Sequence, residues 1–261
     1  MFQFFRRLSK EKKLLLLSFA IDLLVGVILR ELSWYIAYNI DPAERKIVSE
    51  YDYSILHELR DDMIPWEILV YGSHAVNILL VLLSSYSNWF LLLASFSTYF
   101  YGNGLYIVLL SILKNVTGRL RPDFVARCKP DDLGVCTGDP DVVAEGRVSW
   151  PSGHSAMAGY AAVYSILLLN DVCKPFNKKK HYQSVRILPL IGVGLAFVIT
   201  AISRNVDNHH HPGDIVCGFT LGGLVGLWAF YNRQRYKRRI LAKKGEEVGL
   251  LNDEDPIESN V

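Results

Sequence analysis

Three short polar segments stand apart from an otherwise greasy chain because their residues are suited to handling a phosphoryl group. The first, KNVTGRLRPDF, begins with Lys114 and reaches Arg121 seven residues later, a separation that lets both side chains face one way on a helix. Arg119, two positions before Arg121, faces elsewhere on that reading, and Pro122 ends or turns the helix. Two cations aimed at one point suit a phosphate, arginine as a planar fork and lysine as a point charge. Basic side chains also snorkel to membrane interfaces, so the pair alone does not decide. The second segment, WPSGHSAMAGY, places Pro151, Ser152 and Gly153 in a turn that feeds a helix. N–H groups at a helix start bind anions. Ser152 either caps that helix or bonds a phosphate oxygen, and His154 is placed to give or take a proton. The third, SRNVDNHHHPGDIVCG, sets Asp214 four residues after His210, one helical turn on. A carboxylate so placed holds one imidazole nitrogen and leaves the other to attack. Arg204 adds a third cation. His209 and His211 read as interfacial bystanders, and no metal site is expected: adjacent residues rarely point at one ion, and no cysteine or acidic partner completes a zinc spacing.

These segments need a scaffold that brings them together. The chain has 261 residues, 51% of them hydrophobic, and its net charge of +2 suggests no nucleic-acid partner. The apolar residues gather into six runs, roughly 14–36, 66–85, 88–113, 155–170, 187–202 and 214–231, each a candidate for the ~20-residue length of a membrane-spanning helix. The fourth and fifth are short and must borrow flanking residues. The basic N-terminus followed by LLLLSFAIDLLVGVIL is like a secretory signal, but Arg30, Glu31 and Trp34 follow instead of a small-residue cleavage site, so it reads as a retained first span. A soluble domain of this size could not bury six helices apolar on nearly every face.

Charge then orients the spans. Arg6, Arg7, Lys10, Lys12 and Lys13 precede the first; Lys174, Lys178, Lys179, Lys180 and Arg186 follow the fourth; Arg233, Arg235, Lys237, Arg238 and Arg239 follow the sixth. With six spans these three groups share one side, which is cytoplasmic. The acidic loop with Asp41, Glu44, Glu50, Asp52, Glu58, Asp61 and Asp62 falls on the other. The expected fold is therefore all-α: a six-span bundle over residues 14–231, a basic arm over 1–13, and a cytoplasmic tail over 232–261 that is partly disordered. The three polar segments all open on the non-cytoplasmic face. Gly218, Gly222 and Gly226 allow a neighbouring helix to approach the last span closely.

At this point the chain resembles the type 2 phosphatidic acid phosphatase superfamily, whose pattern is Lys, six residues, Arg-Pro; then Pro-Ser-Gly-His; then Ser-Arg, five residues, His, three residues, Asp. Lys114, Arg121 and Pro122 match the first, Pro151, Ser152, Gly153 and His154 the second, and Ser203, Arg204, His210 and Asp214 the third. The six runs resemble the eukaryotic lipid phosphate phosphatase and diacylglycerol pyrophosphate phosphatase branch. The resemblance implies that His210 is a nucleophile oriented by Asp214, that a phosphohistidine forms, and that His154 is the general acid and base. Lys114, Arg121, Arg204, Ser152 and the Gly153 amide would bind phosphate. No cofactor, and no magnesium, would be needed. The implied partners are a membrane lipid phosphate and the bilayer; the oligomeric state is not implied.

Other substrates fit the same residues, notably a polyprenyl pyrophosphate or a soluble sugar phosphate, since the pattern reads only the phosphate. A catalytically inactive lipid-binding protein would be expected to have lost motif residues, and none is missing. A transporter would need ionisable groups in mid-span, and Asp22, Glu67 and His74 are the candidates, Asp22 being read as a polar contact to another helix. Cys128 and Cys136 share a polar loop and can pair in an oxidising compartment, whereas Cys173 and Cys217 read as plain thiols. The sequon at Asn115 lies too close to the bilayer to be modified. In the tail, Glu246, Leu250 and Leu251 resemble an acidic dileucine sorting signal for endosomal or vacuolar membranes.

Overall fold

Capping residues decide where several helices begin. Ser9 accepts a hydrogen bond from Lys12 N and opens α1 (Lys10–Asn39). Pro65 precedes α2 (Trp66–Ser85), and Asn88, accepting from Leu91 N, opens α3 (Trp89–Thr117). Two short helices follow outside the apolar stretches: α4 (Phe124–Cys128) and α5 (Pro140–Gly146), the latter capped by Asp139 with proline in its first turn. The long helices α6 (Gly153–Cys173), α7 (Tyr182–Val206) and α8 (Pro212–Asp253) complete the chain. The computed structural model describes residues 8–43, 52–173 and 182–253. Among these there is no strand, only an isolated bridge between Pro130 and Cys136. The expected charges at Arg6, Arg7, Glu44, Glu50, Lys174, Lys178, Lys179 and Lys180 lie outside the described residues, as does the chain end from residue 254.

Five helices, α2, α3, α6, α7 and the first 31 residues of α8, are long and apolar enough to cross a membrane. That is consistent with an integral membrane protein. Both runs that looked short are longer, the fourth extending at both ends to Gly153–Cys173 and the fifth at its C-terminal end to Ile187–Val206. The 30-residue α1 is long enough but is not among the five; Asp22, Arg30 and Glu31 interrupt its apolar stretch. Helix α8 continues to Asp253, beyond the point where composition suggested disorder.

The helices alternate in direction, so α2, α6 and α8 begin at the end of the bundle where α3 and α7 finish. Tyr99, Tyr106, Tyr160 and Tyr164 fill the seam between α3 and α6 and are fully buried. Each hydroxyl finds a partner, as burial requires: Tyr160 Oη donates to Tyr99 O at 2.5 Å and Tyr164 Oη to Ser95 O at 3.2 Å. Helix α8 lies directly on α6. A Cβ on Gly218 or Gly222 would collide with the carbonyls of Ser152 or Ala156, so these glycines set how near α8 comes to the Pro151–Gly153 turn.

The other end of the bundle is closed by charge. Arg233 reads in sequence as a cation of the tail that follows the last span, yet it is completely buried: Nη1 donates to Asp171 at 2.8 Å, Nε to Ser95 Oγ at 2.8 Å and Nη2 to Ser84 Oγ at 2.9 Å. Lys237 Nζ donates to the same Asp171 at 2.7 Å. Two of the three ionisable groups read as mid-span are likewise absorbed by packing. Tyr236 Oη donates to Asp22 at 2.9 Å, joining α8 to α1, and His74 Nδ1 lies 2.7 Å from Tyr99 Oη. Glu67 sits in the first turn of α2.

Candidate active site

Helix α3 delivers Lys114 in its last turn and stops three residues later. Gly118 takes a left-handed φ of 53° and its N–H bonds Lys114 O at 3.0 Å, a helix end that glycine accommodates best. Lys114 and Arg121 therefore do not share a helix face, as their spacing suggested; the chain turns at Gly118 and brings Arg121 back. Arg121 is buried, with Nη2 3.0 Å from Glu145 Oε1, its own N–H on Gly146 O at 2.9 Å, and its Nε without a hydrogen-bond partner among the described residues. Lys114 Nζ donates to Val148 O at 2.5 Å. Arg119 does not face elsewhere either. Because residues 118–122 are not helical, the two-residue offset carries no helical rotation, and Nη1 reaches Asp214 Oδ1 at 2.7 Å.

The turn before α6 is tied to both other segments. Ser149 N donates to Arg119 O at 2.8 Å and Ser152 N to Asp214 O at 3.0 Å. Ser152 Oγ accepts from Ser155 N at 3.3 Å and from Ser155 Oγ at 3.0 Å, so Ser152 caps the helix. Gly153 is the first residue of α6, where N–H groups have no intrahelical acceptor. His154 follows it, with its ring edge-on to Trp66 at 5.2 Å and a buried Nε2 that has no hydrogen-bond partner among the described residues.

Between α7 and α8 the chain reverses through Asn208, at a φ of 60° that asparagine tolerates. The N–H groups of His209 and His210 both fold back onto Arg204 O, at 3.1 and 3.2 Å. His210 is 2% exposed and Asp214 and Ser149 are 0% exposed, which removes solvent from their contacts. His210 Nδ1 lies 3.9 Å from Asp214 Oδ2, too far for a direct hydrogen bond. The gap is bridged by a residue that sequence spacing did not single out: Ser149 Oγ donates to Asp214 Oδ2 at 2.6 Å and stands 3.5 Å from His210 Nδ1. Asp214 Oδ2 also accepts from His211 N at 3.0 Å. With Nδ1 turned to Ser149 and Asp214, Nε2 is on the opposite edge of the ring. Burial holds the His210 pKa well below the ordinary histidine value, opposed by Asp214 and assisted by the charges of Arg121 and Lys114.

Neither neighbouring histidine is a bystander. His211 Nε2 lies 3.2 Å from Leu120 O. His209 Nδ1 lies 2.8 Å from Asp62 Oδ1 and its Nε2 lies 2.9 Å from Arg60 O. Asp62, from the acidic loop ahead of α2, also accepts from Arg204 Nη1 at 2.7 Å. No sequence signal marks it, since it is one acidic residue among several. The ligating atoms of Asp62, Asp207 and His209 lie within 4.8 Å of one another, a spacing a metal ion could use. Arg204 already donates to both carboxylates, at 2.7 and 2.6 Å, so the cation at that point is a guanidinium. The described structure thus gathers Lys114, Arg121, Ser152, Gly153, His154, Arg204, His210 and Asp214 at one end of the bundle, and Arg121 is close enough for its charge to act on both imidazoles.

The family model described as the PAP2 superfamily matches residues 90–238, more than half of the chain. The chain belongs to the PAP2 superfamily. Among its relatives, lipid phosphate phosphatase 2 of Arabidopsis thaliana is 33% identical over 134 residues, covering 47% of this chain and 45% of the relative. Lipid phosphate phosphatase 1 of the same plant is 37% identical over 139 residues, 49% of this chain and 41% of the relative. The probable diacylglycerol pyrophosphate phosphatase 1 of Schizosaccharomyces pombe is 34% identical over 123 residues, 43% of each chain. The aligned region spans less than half the length of each of these relatives. No solved structure matches the chain. The PAP2 match contains all three polar segments, together with Arg119 and Ser149. Helices α1 and α2, and the loop that carries Asp62, lie outside it.

Proposed function

We propose that this PAP2 protein hydrolyses a lipid phosphate monoester through a phosphohistidine. His210 Nε2 attacks phosphorus in line, forming the N–P bond as the P–O bond to the lipid breaks. His154 gives its proton to the departing alkoxide, leaving a neutral alcohol. Water then attacks the phosphohistidine, His154 takes the water proton, the N–P bond breaks, and inorganic phosphate leaves. Lys114, Arg121 and Arg204 hold the charge that builds on the equatorial oxygens, with Ser152 and the Gly153 amide, in the place a magnesium ion takes in many phosphoryl-transfer enzymes. The supporting observation is the buried His210, backed at Nδ1 by Ser149 and Asp214 and facing the fields of Lys114 and Arg121.

The site lies on the non-cytoplasmic side in this reading, with α1 as a sixth span, residues 14–231 as the catalytic unit, and residues 1–13 and 232–261 cytoplasmic. Two features support that orientation. Lys10, Lys12 and Lys13 and the basic stretch from Arg235 to Arg239 lie at the end opposite the site. Cys128 and Cys136, at the site end, are joined in a disulfide, which suits an oxidising compartment.

The test is phosphate release from phosphatidic acid, diacylglycerol pyrophosphate, a sphingoid phosphate and a polyprenyl pyrophosphate, side by side and with EDTA present. His210→Ala and Arg121→Ala, checked for folding and insertion, should each abolish nearly all release. A fully active His210→Ala protein would overturn the mechanism. Turnover confined to the polyprenyl substrate would move the substrate class, and absence of turnover on all four would leave a lipid-binding protein.

A further inference from the structure

Residues 57–63 are strapped across the site by bonds to two other segments, the turn after α3 and the end of α7. His57 N donates to Pro122 O at 2.9 Å, Asn208 Nδ2 to Glu58 O at 3.1 Å, Arg60 Nη1 to Val206 O at 3.1 Å, and Met63 N to Asp207 Oδ2 at 3.0 Å. Ile55, just before the strap, is buried against Leu120, Phe124 and Val143. From this anchored backbone Asp62 points inward. Its Oδ1 lies 2.7 Å from Arg204 Nη1 and 2.8 Å from His209 Nδ1, and its Oδ2 lies 3.8 Å from His154 Nε2. The His209 hydrogen bond, helped by the charges of Arg204 and His154, holds the Asp62 carboxyl far below the usual carboxylate range despite its partial burial. Elsewhere on the Arg204 guanidinium, Nε is on Ser203 Oγ at 3.2 Å, and Nη2 is on Asp207 at 2.6 Å and Ile64 O at 3.3 Å. A phosphate oxygen that takes the Arg204 Nη1 N–H now on Asp62, the carboxylate that also faces His154, exchanges with that carboxylate.

We propose that Asp62 determines specificity: it is a resident carboxylate in the arginine corner of the phosphate pocket that yields to the dianionic terminal phosphate of a monoester and not to a singly charged phosphodiester headgroup. The inference rests on the phosphatase reading above and deepens it. A membrane enzyme faces a vast excess of phosphodiester lipids, and its cations would attract them as well as the substrate. A diester carries the same single charge as the carboxylate it would replace. It gains no charge in the exchange and still loses water on entering a buried site. A phosphomonoester carries about −1.5 to −2 near pH 7. That added charge meets Lys114 and Arg121 and tips the exchange. Discrimination then comes from the competitor built into the pocket as much as from contacts to the substrate.

The experiment compares the full-length protein with Asp62→Asn and with Asp61→Asn, which removes the same charge from an exposed neighbour on the strap. Hydrolysis of phosphatidic acid in mixed micelles is titrated with phosphatidylglycerol, a singly charged diester. Binding of inorganic phosphate to the purified proteins is followed separately by thermal shift. Losing a hydrogen-bonded carboxylate from Arg204 should lower the inhibition constant for phosphatidylglycerol roughly tenfold or more. Phosphate should bind Asp62→Asn more tightly as well, while Asp61→Asn behaves as the parent. Asp62→Ala must shift the same way if the asparagine variant folds poorly. Equal inhibition of parent and Asp62→Asn, or an equal shift in Asp61→Asn, overturns the proposal. So does loss of turnover in Asp62→Asn with phosphate binding unmoved, which would make Asp62 a partner of His154. If the parent neither binds phosphate nor hydrolyses any lipid phosphate, it is the phosphatase reading that has failed.

Discussion

Replacing Ser149 by alanine isolates the contact between His210, the proposed nucleophile, and Asp214. In the folded protein the Ser149 hydroxyl donates to Asp214 Oδ2 at 2.6 Å and offers its oxygen to His210 Nδ1 at 3.5 Å, whereas the direct His210 to Asp214 separation is 3.9 Å. Alanine removes the bridge and leaves the other holds on Asp214, from Arg119 and His211 N, in place. A hydrogen bond to a charged group contributes about 1.5–3 kcal/mol. If that is lost from the barrier to phosphohistidine formation, kcat falls about 10- to 150-fold. Asp214→Ala, which removes the charge itself, should fall further, about 10²–10⁴-fold, the range of a positioned acid–base group. Ser149→Thr keeps a hydroxyl and should recover most of the rate. A structural role would not move the pH profile, but a bridging role does: with its charge no longer shared with the hydroxyl, Asp214 favours the imidazolium more strongly, and the acid limb of kcat/KM moves upward. Phosphate release from phosphatidic acid across pH 5–9 measures all three variants. A Ser149→Ala protein with the parent kcat and an unmoved acid limb would refute the bridge.

Three further expectations follow from the same geometry. The buried His210 stays neutral until the pH drops well below the ordinary histidine value of about 6.5, so kcat/KM should be flat there and fall only in more acidic buffer, as protonation removes the attacking lone pair; a limb at or above that value would contradict the assignment. At the far end, Arg233→Met takes the buried guanidinium away from Asp171, whose side chain is 1% exposed, and should destabilise the bundle by about 3–5 kcal/mol in detergent thermal unfolding while activity per folded molecule is retained. Thiol counting on denatured, unreduced protein should find Cys173 and Cys217, and after reduction Cys128 and Cys136 as well; closing that short loop should contribute about 2.5 kcal/mol by chain entropy.

The sequon at Asn115 shows what a tertiary contact adds to a local reading. Proximity to the bilayer argued against modification. The structure adds that Asn115 Nδ2 donates to Ile36 O at 2.9 Å and to Ile40 O at 2.8 Å, pinning the end of α1 to α3. Asp22 is a second case. Its partner was legible only as some neighbouring helix, because periodicity gives the face a residue occupies and not which of five other helices covers it.

The sequence by itself determined the candidate site residues and most of the helical frame. Helix length and hydropathy are local properties, so the long helices could be read from the apolar runs, and the motif spacings picked out His210, His154, Asp214, Lys114, Arg121 and Arg204 because each spacing lies within one turn or one loop. Only the tertiary structure decided who touches whom. Arg119 reaches Asp214 because a left-handed glycine breaks the helix at Gly118, Ser149 reaches His210 across 61 residues, and Asp62 reaches Arg204 across 142. Contacts at such separations leave no periodic trace in the chain, since they are set by how α2, α3, α6, α7 and α8 pack and by which loop is drawn over their common end.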